Sequence, residues 1–578
     1  DENKMPGAKW FDGLLFNFAE NLLRIKSDKA AIIFQSENAD SKIISYNELY
    51  DEVEKVASTL RKMGIKNGDR IVGIMPNLAE TVIAMLATTS IGAIWSSCSP
   101  DFGTQGILDR FTQINPKIIF ASDGYFYKGK SFDSLNKLND LLNQLPSVRK
   151  VIITPFVREN PDISSINNSL VWNDFIDPKP NPIIFEQVPF DHPLYIMYSS
   201  GTTGKPKSIV HGAGGTLIQH LKELRLHTDI NINDTVFYFT TCGWMMWNWL
   251  VSNLAIGSTI LLYDGSPFHP DRNSMWDMID NYKVSHFGTS PKFLETCRDT
   301  KLSPIKTHSL KSLKSILSTG SPLVEECFEY VYKHIKKNIQ LSSISGGTDI
   351  ISCFALGNPI LPVINGEIQC LGLGMDVAAF NKNGEDLVNK KGELVCKKAF
   401  PSMPVYFWND KNGKKFFDAY FNKFKNVWHH GDFIEINNYG GVKIFGRSDA
   451  TLNPGGIRIG TAEIYRVVDR FDAVNDSLVI GQSINDDERV ILFIIISNGY
   501  KFSNKLVHDI KKTIFKECSP RHVPEIILET KDIPYTVNGK KVEIAVKKVI
   551  NGENVENKDA LKNPEALDLF KNIRQLKL

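Results

Sequence analysis

The chain has 578 residues, of which 42% are hydrophobic and 23% charged, the make-up of an ordinary globular protein long enough for several cores. A net charge of +2 gives no electrostatic reason to expect nucleic acid or an acidic membrane as a partner. The cysteines, at 98, 242, 297, 327, 353, 370, 396 and 518, form no CxxC pair, which argues against a disulfide framework and for reduced thiols in the cytoplasm.

In chain order, residues 30–35 read as a short apolar strand. Ser45 then opens a helix, with Glu48 completing a capping box and Gly64 closing an apolar stripe of Leu49, Val53, Val56, Ala57, Leu60 and Met63. A strand at 70–75, a helix at 78–89 and strands at 93–97, 117–121 and 150–154 follow. This rhythm predicts layered α/β architecture with largely parallel sheets. Residues 157–191 are rich in Pro, Asn and Asp and read as an irregular connection. A strand at 194–198 follows, and the alternating block resumes to about residue 400.

Residues 235–263 carry no charge and are long enough to span a bilayer. Polar interruptions instead divide them into a strand at 235–240, a buried helix at 245–255 and a strand at 259–263. Residues 409–425 are Lys- and Asn-rich and read as a surface excursion. After residue 449 the pattern becomes compact α+β, with helices from Thr461 and Asn504 and strands at 477–480 and 490–496. The basic pairs Lys540-Lys541 and Lys547-Lys548 read as solvated faces. His429 and His430 are adjacent, so on a strand they point apart and make a poor chelating pair. No secretory signal is visible at the start, where residue 1 is Asp rather than Met.

The strongest local signal is the loop Ser199, Ser200, Gly201, Thr202, Thr203, Gly204, Lys205, Pro206 and Lys207, fed by the apolar strand at 194–198. Freed main-chain N–H groups, hydroxyls and ammonium groups are what a polyphosphate needs. A Walker A loop does not fit, because the glycines are three apart and Pro206 stands where the Mg-binding Ser/Thr belongs. A P-loop kinase is therefore set aside.

Four more segments occur in order: Ser345-Gly346-Gly347-Thr348-Asp349, His430-Gly431-Asp432, Gly446-Arg447-Ser448-Asp449 and Asn538-Gly539-Lys540. With the phosphate loop they resemble the adenylate-forming superfamily of acyl-CoA synthetases, luciferases and peptide-synthetase adenylation domains, over essentially the whole chain. The resemblance implies a large N-terminal layered α/β adenylation domain at 1–446, a hinge at 447–449, and a small mobile α+β domain at 450–578. It also implies ATP and coenzyme A as co-substrates and Mg²⁺ as the metal. A carboxylate must first become an acyl-adenylate, and in-line attack on the α-phosphorus needs cations and a metal-binding acid around the phosphates.

By that resemblance residues 199–207 cover the β- and γ-phosphates, and Thr348 with Gly347 meets the α-phosphate. Asp349 helps to hold Mg²⁺, where most of the family has Glu. Asp432 accepts both ribose hydroxyls, Gly320-Ser321-Pro322 lie against adenine, and Arg447 joins the ATP site. Lys540 reaches the reacting carboxylate during adenylation, Asp449 is the hinge residue, and Gly456, Arg458 and Arg110 serve CoA.

Within the superfamily, residues 243–250 (with Trp244, Met245 and Met246), 343–349 and 532–541 resemble the acetoacetyl-CoA synthetases. So do Trp10-Phe11 and the run from Phe16 to Leu23. Acetyl-CoA synthetases place a Trp two residues before the active-site Thr, where this chain has Gly346. The expectation is a pocket enlarged by the missing indole and shaped by Trp244, Met245, Met246 and Thr319, with acetoacetate as the acid. The alternatives are another short acid (propionate, butyrate, 3-hydroxybutyrate) or a non-catalytic acyl-nucleotide-binding protein. The chain is expected to act as a monomer or homodimer.

Overall fold

A computed structural model describes residues 4–38, 41–199, 205–484, 487–535, 541–555 and 561–577. The chain forms two compact units. The first comprises Asp1–Pro100, Arg110–Tyr198 and Ser208–Phe445. The second gathers Gly446–Leu578 with two short earlier stretches, Asp101–Asp109 and Ser199–Lys207, which the sequence places in the first.

Two sheets dominate the first unit. The eight-stranded sheet runs in the order Ser169–Val171, Lys150–Thr154, Ile118–Ser122, Arg70–Ile74, Ile94–Cys98, Pro193–Ser199, Lys207–Gly212 and Tyr406–Phe407. Its first six strands pair in parallel. The seven-stranded sheet runs Gln340–Ser343, Ser315–Ser318, His286–Thr289, Thr235–Tyr238, Thr259–Asp264, Ala30–Ser36 and Lys42–Ser45, with only the last strand antiparallel.

Helix Tyr46–Lys62 starts where the sequence says it should. The Ser45 Oγ accepts from the Glu48 N–H at 3.2 Å, and the Glu48 carboxylate accepts from the Ser45 N–H at 2.7 Å. Its stripe from Leu49 to Leu60 is buried against the large core. The uncharged stretch forms strand Thr235–Tyr238, helix Met245–Val251, a 3-10 turn Ser252–Ala255 and strand Thr259–Asp264, all inside this unit. No helix among the described residues is long and apolar enough to cross a membrane.

Three expectations fail in instructive ways. The irregular connection contains strand Ser169–Val171 and one helical turn, Trp172–Phe175, whose rings pack on Phe120. The βα alternation stops at Ser343 rather than near residue 400. Beyond it lie the hairpin Ser345–Gly347/Ser352–Leu356 and a five-stranded sheet ordered Asp386–Leu387, Val377–Phe380, Gly392–Cys396, Trp428–Ile436 and Val442–Arg447. The first four of these strands pair antiparallel, as a turn such as Asn381–Gly384 between two short strands allows. The supposed surface excursion holds helix Lys414–Tyr420, and Phe416, Tyr420, Phe421 and Phe424 are buried. Lys and Asn set its composition, but Phe416 and Tyr420 stand four apart, about one helical turn.

In the second unit, Val474–Ile484 pairs antiparallel with Asp487–Ile496, and Ile526–Glu529 adds a parallel edge. Alternate side chains go to opposite faces: Val479, Leu492 and Ile494 join helices Thr461–Val468 and Asn504–Glu517, whereas Leu478, Ile491 and Phe493 meet Val546 and Phe570.

One buried histidine makes stability depend on pH. His286 faces Ser285 Oγ at 2.8 Å and the Thr228 carbonyl at 3.1 Å, with Asp234 at 4.0 Å. Burial pushes its pKa down to about 4, although Asp234 pulls the other way. The unfolded chain protonates this residue first, so its contribution is complete above about pH 6.5 and is lost as pH falls toward 4. Urea midpoints at pH 7 and pH 5 should show the parent losing on the order of 1–2 kcal/mol more than His286→Gln over that interval.

Candidate active site

The strands Thr235–Tyr238, His286–Thr289, Ser315–Ser318 and Gln340–Ser343 end level with one another: Tyr238 pairs with Gly288, Thr289 with Ser318, and Ser318 with Ser343. The chain segments that leave these carboxyl ends are where an open parallel sheet binds ligands. Here they include Trp244, Thr319 to Pro322, and the hairpin with Gly346 to Asp349. Thr319 joins two of them. Its N–H donates to the Thr289 carbonyl at 3.2 Å and its hydroxyl to the Ile344 carbonyl at 2.8 Å. Gly320 follows at φ +111°, a conformation that a side chain would strain.

In the hairpin, Gly346 pairs with Cys353 and Gly347 with Ser352. A Cβ on Gly346 would lie 2.1 Å from the Ser352 carbonyl oxygen and 2.7 Å from the Cys353 Cα. The expected reason for this glycine is therefore corrected. Its side-chain direction runs into the backbone of the facing strand, so it permits a close approach instead of vacating a pocket. The turn that follows is tight. The Ile350 N–H donates to the Gly347 carbonyl at 3.1 Å, and Ile351 stands at φ +46°, a costly place for a β-branched residue. His220 Nε2 holds the Ile351 carbonyl at 2.8 Å.

Thr348 is half-buried and Asp349 buried. The Tyr420 hydroxyl donates to Asp349 Oδ1 at 2.6 Å, and the Tyr420 ring stacks on Trp428 with centroids 3.8 Å apart. Tyr420 lies in the segment taken for a surface excursion; its helical spacing from Phe416 was the available signal. His211 was also missed. It is buried on strand Lys207–Gly212, beside the Thr348 main chain and the Asp349 carboxylate but without a well-formed hydrogen bond. Burial holds its pKa down to about 3, so it is neutral.

Asp432 is buried on strand Trp428–Ile436, with His430 Nε2 3.5 Å from its Oδ2. His430 packs edge-on against Phe354 at 4.7 Å, whereas His429 meets Glu393 at 2.9 Å. The two histidines thus have separate surroundings, as expected. Trp244 is partly exposed and edge-on to Tyr238 at 6.0 Å. Met245 and Met246 are buried in the large core, so of these three residues Trp244 alone is partly open to solvent. Arg110 lies with its guanidinium over the Tyr198 ring, 5.8 Å from its centroid.

The AMP-binding enzyme family model matches residues 19–407. The chain is 52% identical to the acetoacetyl-CoA synthetase of Gallus gallus, over 98% of this chain and 87% of that one. It is 51% identical to the acetoacetyl-coenzyme A synthetase of Rhizobium meliloti, over 100% and 89%. The chain belongs to the acetoacetyl-CoA synthetase family of AMP-binding enzymes. The solved acetoacetyl-CoA synthetase from Streptomyces lividans superposes with a TM-score of 0.76 at 39% identity, covering 100% of this chain and 89% of that one.

Other candidate residues of this family member lie in the second unit. Ser199, Lys205 and Lys207 are described there, while Ser200, Gly201, Thr202, Thr203 and Gly204 lie outside the described residues, as does Lys540. Arg447 grips both oxygens of Asp449, whose Oδ1 also accepts from the Thr451 N–H at 3.0 Å. Gly456 and Arg458 sit in a loop closed by mutual hydrogen bonds of 2.9 Å between Leu452 and Ile459. The Gly455 N–H in that loop donates to Asp487 at 2.8 Å.

The close approach at Gly346 yields a direct test. Gly346→Ala should lower stability by about 1–3 kcal/mol, as overpacking does. It should also reduce pyrophosphate release in the same proportion for every acid tried. A shift in acid preference with unchanged stability would restore the pocket-wall explanation.

Proposed function

We propose that this acid–thiol ligase joins acetoacetate to coenzyme A in two half-reactions organised around Thr348, Asp349 and Asp432. In the first, a carboxylate oxygen of acetoacetate attacks the α-phosphorus of ATP and diphosphate leaves. In the second, the thiol sulfur of CoA attacks the acyl carbon, loses its proton and expels AMP. The observation that carries the placement is the buried Asp349–Tyr420 pair beside Thr348 at the carboxyl edge of the sheet.

Thr348 is assigned to donate its hydroxyl to the α-phosphate, and Asp432 to accept both ribose hydroxyls. Gly320, Ser321 and Pro322 are assigned to adenine, and Trp244 to the acid. Asp349 offers a hard, oriented oxygen donor. Among the described residues no cluster of three or more His, Cys, Asp or Glu could hold a metal alone. That suits Mg²⁺, which commonly takes one or two carboxylates plus substrate phosphates. When bound, Mg²⁺ would neutralise phosphate charge as diphosphate departs.

Lys540 is assigned to the reacting carboxylate. Its described neighbours support the choice. Tyr535 and Lys541 form a bridge across the segment, and both reach Asp476, at 2.6 Å from the Tyr535 hydroxyl and 2.8 Å from Lys541 Nζ. Lys541 also lies over the Tyr465 ring at 4.2 Å, so it is engaged within the unit and not part of the solvated basic pair expected. Asp449 keeps its assignment as hinge, and Gly456 with Arg458 theirs toward CoA. The cysteine spacing, with no CxxC pair, fits a reducing compartment such as the cytoplasm.

Lys540→Ala should lower acyl-adenylate formation on the order of 10²–10³-fold, as lost transition-state donors do. Thioester formation from supplied acetoacetyl-adenylate should survive, and equal loss in both half-reactions would refute the role. Tyr420→Phe frees one oxygen of Asp349 from its donor. It should raise the Mg²⁺ concentration for half-maximal diphosphate release by about tenfold, within the range seen for partners of metal ligands. An unchanged Mg²⁺ curve would remove Tyr420 from the site.

A further inference from the structure

Glu223 is fully buried in the first unit, and the mechanism above gives it no task. It lies at the junction of helix Ala213–Lys222 with the π-helical turn Glu223–His227. One oxygen, Oε1, accepts from the Ser352 hydroxyl at 2.5 Å and the Cys353 N–H at 3.1 Å. The other, Oε2, accepts from the Trp249 indole N–H at 3.1 Å. Lys222 Nζ stands 3.6 Å away as the nearby cation. Gln219 donates to the Ser352 oxygen at 3.1 Å, which aims the Ser352 proton at Glu223.

These donors come from two different parts of the site. Trp249 belongs to helix Met245–Val251, which begins directly after Trp244. Ser352 and Cys353 form the strand against which Gly346 and Gly347 pair, and the tight turn between those strands carries Thr348 and Asp349. The Cys353 thiol also donates to Oε2, at 3.5 Å, so four donors from three residues converge on this group, and a two-oxygen acceptor serves them together. An apolar residue of similar volume would serve a core at least as well, because a buried charge is weak evidence for stability. We infer that Glu223 is a positioning residue whose single carboxylate ties the helix behind Trp244 to the hairpin that carries Thr348 and Asp349. If either element shifts, the buried anion loses a donor, so the acid end and the nucleotide end of the site are held in one register.

The inference rests on the placement of acid and nucleotide proposed above. Steady-state kinetics of the full-length enzyme, with acetoacetate and MgATP varied separately, test it. Trp249→Phe removes one donor and keeps an aromatic, though smaller, ring; it should raise KM for acetoacetate by about tenfold, the low end of what one hydrogen bond to a charge is worth. Its KM for MgATP should stay within about twofold, inside the scatter of a single neutral change. Ser352→Ala should do the reverse, moving KM for MgATP and sparing acetoacetate. Glu223→Gln leaves one acceptor oxygen for four donors and should move both constants; should it fail to fold, the two single-link variants decide alone. Lower melting temperatures with unchanged KM and kcat in the folded variants would overturn the inference, as would equal effects of Trp249→Phe and Ser352→Ala on both substrates. Asp349→Asn, measured alongside, separates the two levels. Intact ATP use in that variant refutes the nucleotide placement. Intact ATP use in Ser352→Ala, with Asp349→Asn damaged, refutes the tie through Glu223.

Discussion

Between Ser345 and Leu356 two short strands approach so closely that the Ser352 carbonyl fills the place of a side chain on Gly346, and the turn joining them holds Ile351 in a left-handed conformation. A turn of this kind does not persist on local preference, since a β-branched residue at positive φ costs on the order of 1–3 kcal/mol. It is overdetermined by its surroundings: His220 on the Ile351 carbonyl, Glu223 on Ser352 and Cys353, and Tyr420 on Asp349. The strain and its restraints point one way. They hold Thr348 and Asp349 in a fixed attitude before any substrate arrives, which is how an electrostatic site avoids reorganising during the reaction.

The restraints come from distant stretches of chain. Helix Ala213–Lys222 and the turn after it supply His220 and Glu223 from beneath, and the segment at 414–420 supplies Tyr420. Tyr420 is itself fixed by stacking on Trp428, two residues before His430 and four before Asp432. The residue assigned to the metal and the residue assigned to the ribose thus share an aromatic support.

The sequence made the layered frame and the chemistry legible for the same reason. Helix starts such as Ser45 with Glu48 are local codes, and the ordered motifs with Thr348, Asp349 and Asp432 are chemical ones. What escaped depends on contacts across long separations. Nothing near Gly346 announces that Ser352 will occupy its side-chain space, and a glycine facing a close backbone reads the same as a glycine facing a cavity. His211, a lone polar residue on an apolar strand, was visible without a partner. Tyr420 was hidden by Lys and Asn neighbours, which outweigh an aromatic period in any count of composition. Chain order also misled at 101–109 and 199–207, which group with the second unit although they precede it by hundreds of residues.

The aspartate at position 349 acquires a physical reading from these contacts. A glutamate reaches farther but has one more rotatable bond to freeze, whereas an aspartate is short and stiff and must be brought to its target by the backbone. The tight hairpin supplies that backbone, and the Tyr420 hydroxyl at 2.6 Å selects one carboxylate orientation. Reach is exchanged for preorganisation, and a shorter acid then demands a more rigid turn beneath it. The glycine at 346, the strained Ile351 and the buried Glu223 are the features of this chain that make the turn rigid. Asp349 and the close packing of the hairpin therefore belong to one physical account, a short acid on a turn that His220, Glu223 and Tyr420 hold in place.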